Sequence, residues 1–387
     1  MPVFIDTPDK LVTDLAFTVA GWVAGPAQDP VRLTVNEAEV PSLLCERPDV
    51  RAAFQALPFT SGIAATVDLL RLNLADSLLL ALEFNGERVE REIGISPGIQ
   101  AAWREDARIR RAHREFCLKH LRCPECGAAI DGTAQRRKLI ACPSCQARFP
   151  QMSRAISMIS GELALRANLA TTHLISSNPY TPAAQALIDR VTKTGGMVLD
   201  CGAGARQART PGVINAEIVD YNSTDILAVG ESLPFADATF DAVLSLAVLE
   251  HVRNPVACAR ELLRVTKPGG ELLADVPFLQ PEHGYPHHYY NMTAQGLANL
   301  FAGEAEPLEQ SVPPHGHPIF AVQWMLRDYA NGLPVDVAQQ FLAMSVQELI
   351  ELDIPRFLAD PRATALDGET RRIIACLNTL HMKKHES

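Results

Sequence analysis

The sequence predicts a multidomain α/β protein: a doubly wound, open sheet preceded by a small β-sandwich-like domain and a compact four-cysteine module. Three observations carry this. Between Met197 and Phe278, short apolar strands alternate with helix-like segments and glycine-marked turns. In the first 96 residues, about seven short β-prone runs are separated by turn formers, the strongest being Asn85-Gly86. Between these regions stands the spacing C-x2-C-x15-C-x2-C.

The stretch from Met197 organises the rest. Met197-Val198-Leu199 is a short strand that ends in Asp200-Cys201-Gly202-Ala203-Gly204. An apolar strand that stops at an acid and two glycines turns tightly with no Cβ in the way. A ligand can then lie against backbone at the carboxyl end of the strand, where open α/β sheets bind ligands. A second strand runs to Glu217, the first candidate for two ribose hydroxyls; Asp220 is the second candidate, if the strand ends a turn later. There follow Leu233-Pro234-Phe235, a fourth strand from Phe240-Asp241-Ala242-Val243 to Leu246, then Leu249-Glu250-His251. Lys267-Pro268-Gly269-Gly270 stops the next helix, and Glu271 to Val276 forms the fifth strand.

In this order the blocks resemble the D-x-G-x-G, L-P-F, F-D-x-V, L-x-E-H and K-P-G-G motifs of class I S-adenosylmethionine-dependent methyltransferases of the type 11-like group. The resemblance covers roughly Tyr180 to Leu300. It implies a Rossmann-like sheet, S-adenosyl-L-methionine as cofactor, and methyl transfer. It also implies a cofactor set of Asp200, Gly202, Gly204, Glu217, Asp220, Glu231, Leu233 and Leu246. Two departures stand out. Only eight residues separate Gly204 from Val213, so the first crossover holds a short helix or a loop. And Val229 stands where the family often has an acid near the adenine, which leaves backbone groups, apolar contacts or Glu231 for that role.

Composition bounds the alternatives. The 387 residues carry a formal net charge of −10, a poor general match to phosphate backbones. From Arg104 to Lys138, however, ten Lys/Arg stand against five Asp/Glu. No apolar run is long enough to span a membrane, and residues 1–10 do not read as a secretory signal, so the expected location is cytoplasmic. In that compartment nine cysteines suggest metal ligands or buried thiols before disulfides.

Taken in order, residues 1–96 read as a β-rich accessory domain with strands at 15–19, 31–35, 64–69 and 78–84, and with Arg47-Pro48-Asp49-Val50 in a loop. Its role is substrate or partner docking, or simply spacing. Residues 97–120 read as a solvated helical linker, helical from Gln100. Residues 121–160 read as a zinc ribbon: Cys123, Cys126, Cys142 and Cys145 place two thiolates on each of two tight turns. Four protein ligands leave no open position, so the zinc is structural. Its flank also resembles the small zinc-ribbon activator subunits of some tRNA and release-factor methyltransferases, which implies docking or stabilisation. Residues 161–330 form the class I domain, and 331–387 a helical extension that caps the substrate side or makes an oligomer contact.

The acceptor side falls on residues 277–291, with four Tyr/Phe rings, three histidines and three prolines. The loop leaves a strand at its carboxyl end and so lines the crevice. Similar loops occur in methyltransferases of bacterial surface-polysaccharide clusters. A hydroxyl is a poor nucleophile near neutral pH, and a histidine can take its proton. His283 and His288 are the candidate catalytic residues, His287 a third, and Tyr289 and Tyr290 candidates for holding a sugar or aromatic acceptor. A second metal site involving the histidines and Glu282 stays open, as does a capping or core role for His251. The expected partner is a glycan or small-molecule acceptor, with a protein partner through the β-rich domain or the ribbon also open and nucleic acid disfavoured. The rival readings are an RNA or protein methyltransferase that docks substrate through the ribbon, and a non-catalytic cofactor-binding scaffold.

Overall fold

The structure is a computed structural model and describes residues 3–26, 30–130, 139–151, 154–170, 177–284 and 286–376. Parts of several sequence expectations lie outside those residues: 131–138 and 152–153 of the ribbon segment, 171–176 of the helix and loop over 161–178, Tyr285 of the acceptor loop, and 377–387 of the C-terminal extension. The chain divides into two compact units, Met1–Phe116 with Arg206–Pro211, and Cys117–Ala205 with Gly212–Ser387.

The first unit opens with β1 (Val3–Thr7), β2 (Leu11–Val12), β3 (Ala16–Gly25), β4 (Arg32–Val35), β5 (Ala38–Val40) and β6 (Leu43–Cys45). After α1 (Pro48–Ala53) come β7 (Phe59–Asp68), β8 (Ser77–Phe84), β9 (Glu87–Ile95) and α2 (Pro97–Lys119), whose last turn passes into the second unit. Two sheets result, ordered β1-β3-β7-β6 and β2-β9-β8-β4-β5. They share one core, because alternate residues of each strand point the same way. On β8, Leu78, Leu80, Leu82 and Phe84 are all buried in it. Asn85 (φ 51°) and Gly86 (φ 78°) then turn the chain into β9, both left-handed as a two-residue hairpin demands.

Two expectations need correction here. Pro48-Asp49 starts a short helix, not a loop; a proline at the first helical position and an acid in the first turn are helix-start signals as much as turn signals. The helix α2 begins at Pro97, and it is not solvated all round. Trp103 is 2% exposed and belongs to the core of the two sheets, with Ile109 and His113 also buried. Trp103→Ala is therefore expected to destabilise this unit by about 3–5 kcal/mol in denaturant unfolding. A loss under about 1 kcal/mol would contradict the packing described.

In the second unit the strands are β10 (Leu139–Ala141), β11 (Arg148–Pro150), β12 (Ile156–Ser157), β13 (Val198–Cys201), β14 (Val213–Glu217), β15 (Ile226–Leu227), β16 (Phe240–Leu246) and β17 (Thr266–Asp275). Six of them form a parallel, Rossmann-like sheet in the order β12-β15-β14-β13-β16-β17. The central strands are buried nearly end to end, as expected of strands covered on both faces. Among the helices α3 (Gly161–Arg166), α4 (Pro182–Lys193) and α5 (Pro255–Val265), α4 lays Ala184, Leu187 and Ile188 on Val198, Val213, Ala242 and Leu244. Thr181 caps α4 ahead of Pro182. The edge strand β12 was expected within the ribbon segment; instead Ile156 and Ser157 pair with Ile226 and Leu227 of the large sheet.

Several motif residues are structural ties. Asp241 accepts from the Met197 amide and from Lys267 Nζ, at 2.8 and 2.9 Å, which joins the start of β13 to the Lys-Pro-Gly-Gly bend. That bend lies inside β17 as a register shift, with Gly269 at φ 74°. Arg264 donates to the carbonyls of Leu233 and Phe235, and Glu261 accepts from the Leu233 amide. The Leu-Pro-Phe block is thus pinned to α5.

The four-cysteine module packs on the other side of that block. Arg122 N donates to Pro234 O and Ala236 N to His120 O. Ser232 Oγ donates to Pro124 O at 2.5 Å. Its two turns match one another: Gly127 and Gln146, each left-handed, donate their amides to Cys123 O and Cys142 O.

The chain finishes with α6 (Ala294–Leu300), α7 (Pro318–Asn331), α8 (Val335–Leu342), α9 (Val346–Ile350), α10 (Ile354–Phe357), α11 (Pro361–Thr364) and α12 (Gly368–Ile373). Around α7 and α8 lies a small core of Ala330, Leu333, Val337, Phe341 and Leu366. Among the described residues, no helix is long and apolar enough to cross a membrane.

Candidate active site

From β13 the chain steps to β14 and β15 on one side, then returns to β16 and β17 on the other. The reversal leaves a crevice beyond the carboxyl ends of β13 and β16, where sheets of this kind hold ligands. β13 ends in Asp200-Cys201 and turns through Gly202 (φ 75°) and Gly204 (φ 67°). A Cβ on Gly202 would lie 2.4 Å from Val248 Cγ2, so the turn closes only with glycine there.

Asp200 is fully buried and accepts from the Tyr180 hydroxyl at 2.8 Å. Glu217, last in β14, reaches the same turn: its carboxylate accepts from the amides of Gly204 (3.1 Å), Ile218 (2.5 Å) and Val219 (3.3 Å). Burial pushes its pKa upward against those amides. The structure therefore brings Asp200, Gly202, Gly204 and Glu217 together. Asp220 lies three residues past the strand, beyond the bend at 218–219. Leu246 ends β16, and Leu233 is buried in its pinned block. Glu231 faces elsewhere: with Ser232, Arg253, Asn254 and Tyr290 it lines a cavity of about 600 Å3 whose walls do not include the glycine turn. Residues 205–212 contain no helix, in line with the short crossover.

On the acceptor side, Ala247 follows β16 with φ 54°, a strained value for a residue with a Cβ. Glu250 and His251 come next. The loop 277–291 folds back on them, Tyr289 N donating to Glu250 O at 2.7 Å. His283 meets His251 and His288 edge-on, at 5.1 and 4.4 Å between ring centres, and Trp324 of α7 at a tilt, at 5.4 Å. Its Nδ1 contacts Pro281 O at 2.9 Å. The final helices hold the loop from behind: Glu282 N donates to Ile373 O, and Arg372 pairs with Glu282.

The candidate histidines separate by their contacts. His283 faces the cluster, and burial lowers its pKa, so it is neutral near pH 7. His288 is a brace: its Nδ1 accepts from the His283 amide at 3.2 Å, and its Nε2 meets Tyr290 O and Asn291 Oδ1 at 3.2 and 3.0 Å. His287 turns outward to Asn168. Glu282, named with the histidines, is taken by Arg372. The carboxylate beside the rings is Glu250, whose pKa is pushed up to about 8 by burial. His251, 3.8 Å from it, is pushed down to about 4, also by burial. Sequence reasoning passed over Glu250 as a chemical group. Its signal was an acid directly after an apolar run at the end of a central strand. His315 pairs with Asp275 at 3.5 Å, and His317 caps α7.

The four cysteines are all free thiols, and their sulfurs lie within 4.8 Å of one another. Cys123 to Cys145 is 3.7 Å and Cys126 to Cys142 is 3.6 Å. A tetrahedron with ~2.3 Å metal–sulfur arms has edges of ~3.8 Å, so the donor set fits one zinc ion.

Comparison with known proteins supplies the decisive match. Residues 203–274 match the family model described as a methyltransferase domain. That segment resembles a methyltransferase domain. Over 96 residues the chain is 38% identical to an uncharacterized methyltransferase of Mycolicibacterium paratuberculosis, covering 24% of this chain and 34% of that relative. A second, from Mycobacterium tuberculosis, is 39% identical over 94 residues, covering 24% and 34%. The chain thus spans about a third of the length of the curated relatives it matches. Among solved structures, the YcgJ protein of Bacillus subtilis is similar at 18% identity and a TM-score of 0.27, over 42% of this chain and 86% of that one. The matched segment contains Gly204, Glu217, Glu250 and His251 but ends before His283.

Proposed function

We propose that this chain is an S-adenosylmethionine-dependent methyltransferase that methylates a hydroxyl of a glycan or small molecule, with a structural zinc at its four cysteines. The observation that carries the reading is the convergence, at the reversal of the sheet, of a glycine turn closed by Glu217 with a half-buried imidazole cluster. Glu217 receives three amide hydrogens on two oxygens, and a carboxylate has about four acceptor sites, so capacity remains for a ribose hydroxyl. Gly202 and Gly204 bring backbone to the ligand without side chains. The cofactor, when bound, supplies a methyl group on a cationic sulfur that leaves as a neutral thioether with the C–S electron pair.

The chain's part is to bury, orient and activate the acceptor oxygen. Activation falls to the cluster of Glu250, His251 and His283, held in shape by His288, Trp324 and the carbonyls of Pro281 and His287. Tyr289 and Tyr290, 37% and 40% exposed, offer ring faces to a sugar at the rim. An RNA acceptor is disfavoured by charge: the basic segment spends Arg104, Arg108 and Arg122 on Asp76, Glu105 and Asp237. The zinc holds the turns that brace the Leu-Pro-Phe block.

The test is transfer of labelled methyl groups into fractionated cell extract, with His283→Ala beside the wild type. Label is expected in carbohydrate or small-molecule fractions, and His283→Ala should slow transfer about 100-fold while cofactor affinity by calorimetry is unchanged. Label in RNA or protein alone would replace the acceptor assignment. Cofactor binding with no transfer to any fraction would favour a scaffold.

A further inference from the structure

We propose that Glu250, His251 and His283 form a second metal site, a binding place for a divalent first-row cation at the acceptor end of the crevice. It deepens the methyl-transfer reading and rests on it for its role, though not for its existence. Each residue offers one ligand atom, and the three atoms lie within 4.8 Å of one another. The decisive group is Glu250. It is fully buried, and among the described residues neither of its carboxyl oxygens has a hydrogen-bond partner. A buried carboxyl in that state ionises only at a cost of several kcal/mol unless a cation meets it.

The imidazoles are set to help. His251 Nδ1 lies 2.5 Å from His287 O, so that nitrogen carries a proton, and in the neutral ring Nε2 is a lone pair. That lone pair sits 3.8 Å from Glu250 Oε1. A carboxyl and an imidazole nitrogen thus face each other across a gap that a divalent cation fits, displacing the carboxyl proton as it binds. Metal arms of ~2.0–2.2 Å give neighbouring ligands separations of ~3–3.6 Å, so small side-chain rotations close the set. His283 Nδ1 is likewise tied to a backbone carbonyl, that of Pro281. Histidine ligands are commonly oriented in this way, through the ring nitrogen that the metal does not use.

Two imidazoles and one carboxylate suit manganese, iron or zinc in the divalent state, and three protein ligands leave positions open. This differs in kind from the closed four-thiolate set. An acceptor hydroxyl in an open position would have its pKa lowered. Its proton passes to water, the oxygen bonds the methyl carbon, and the C–S pair goes to sulfur.

The experiment uses the full chain with the four-cysteine site loaded with zinc, titrated with Mn2+ and followed by the loss of the free-ion electron paramagnetic signal. One Mn2+ per chain is expected, weakened at least 100-fold in Glu250→Gln and in His283→Ala and unchanged in His287→Ala. Glu250→Gln keeps the shape and removes the ionisable group, so it should fold; its thermal transition is measured without Mn2+ to establish that. Absence of binding in the wild type, or equal binding in folded Glu250→Gln, overturns the proposal. Cofactor binding with full methyl transfer after the second metal is stripped removes its catalytic role and leaves the methyl-transfer reading standing. Mn2+ binding without cofactor binding does the reverse.

Discussion

Cys142→Ser is expected to remove one zinc per chain by metal analysis and to cost the second unit more than about 3 kcal/mol of stability. Cys142 is buried, and its sulfur is 3.6 Å from that of Cys126. A serine hydroxyl does not ionise near pH 7 and is a weak zinc ligand, so the tetrahedron loses a corner. The consequence reaches beyond the module. Its turns contribute the bonds from Arg122 to Pro234 and from Ser232 to Pro124, which hold the Leu-Pro-Phe block from outside. Amide exchange should therefore quicken over 232–237 as well as over 120–149. A variant that keeps its zinc, or loses it with no change in stability, would sink the structural role. Chelation of the wild type should reproduce the effect and readdition of zinc reverse it.

Glu217→Ala should weaken S-adenosylmethionine binding about 100-fold, measured by calorimetry. A hydrogen bond from a ribose hydroxyl to a carboxylate is worth about 1.5–3 kcal/mol, roughly a 10- to 150-fold change in affinity. The same change frees the Gly204 amide from its 3.1 Å bond and loosens the glycine turn. Asp220→Ala separates the two candidates, with less than a threefold effect expected. If Asp220→Ala carries the loss and Glu217→Ala does not, the ribose acid has been misassigned. If neither matters, the crevice is not the cofactor site.

What was legible in the sequence follows from range. The Asn85-Gly86 hairpin, the Thr181-Pro182 cap and the glycine turn after Asp200 are local, each fixed by one or two residues with restricted backbone options. The paired C-x2-C turns are local too, and their sequence equivalence survives in their matching hydrogen bonds. The misread pieces depended on what lay opposite. Pro48-Asp49 serves a turn or a helix equally. The fate of α2 was set by Trp103 finding a core to enter. Ile156-Ser157 became an edge strand because Ile226-Leu227 offered it a parallel partner.

The sequence by itself determined the alternation of strands and turns, the zinc-spaced cysteines and the place of the acid-glycine turn, because each is written in neighbouring residues. Only the tertiary structure decided which ionisable groups meet. His283 and Glu250 stand thirty-three positions apart, and no local pattern announces that a loop returning from β17 will lay one beside the other. The burial that leaves Glu250 without a side-chain hydrogen-bond partner among the described residues, and raises its pKa, is a property of packing from β16, the loop and the final helices together.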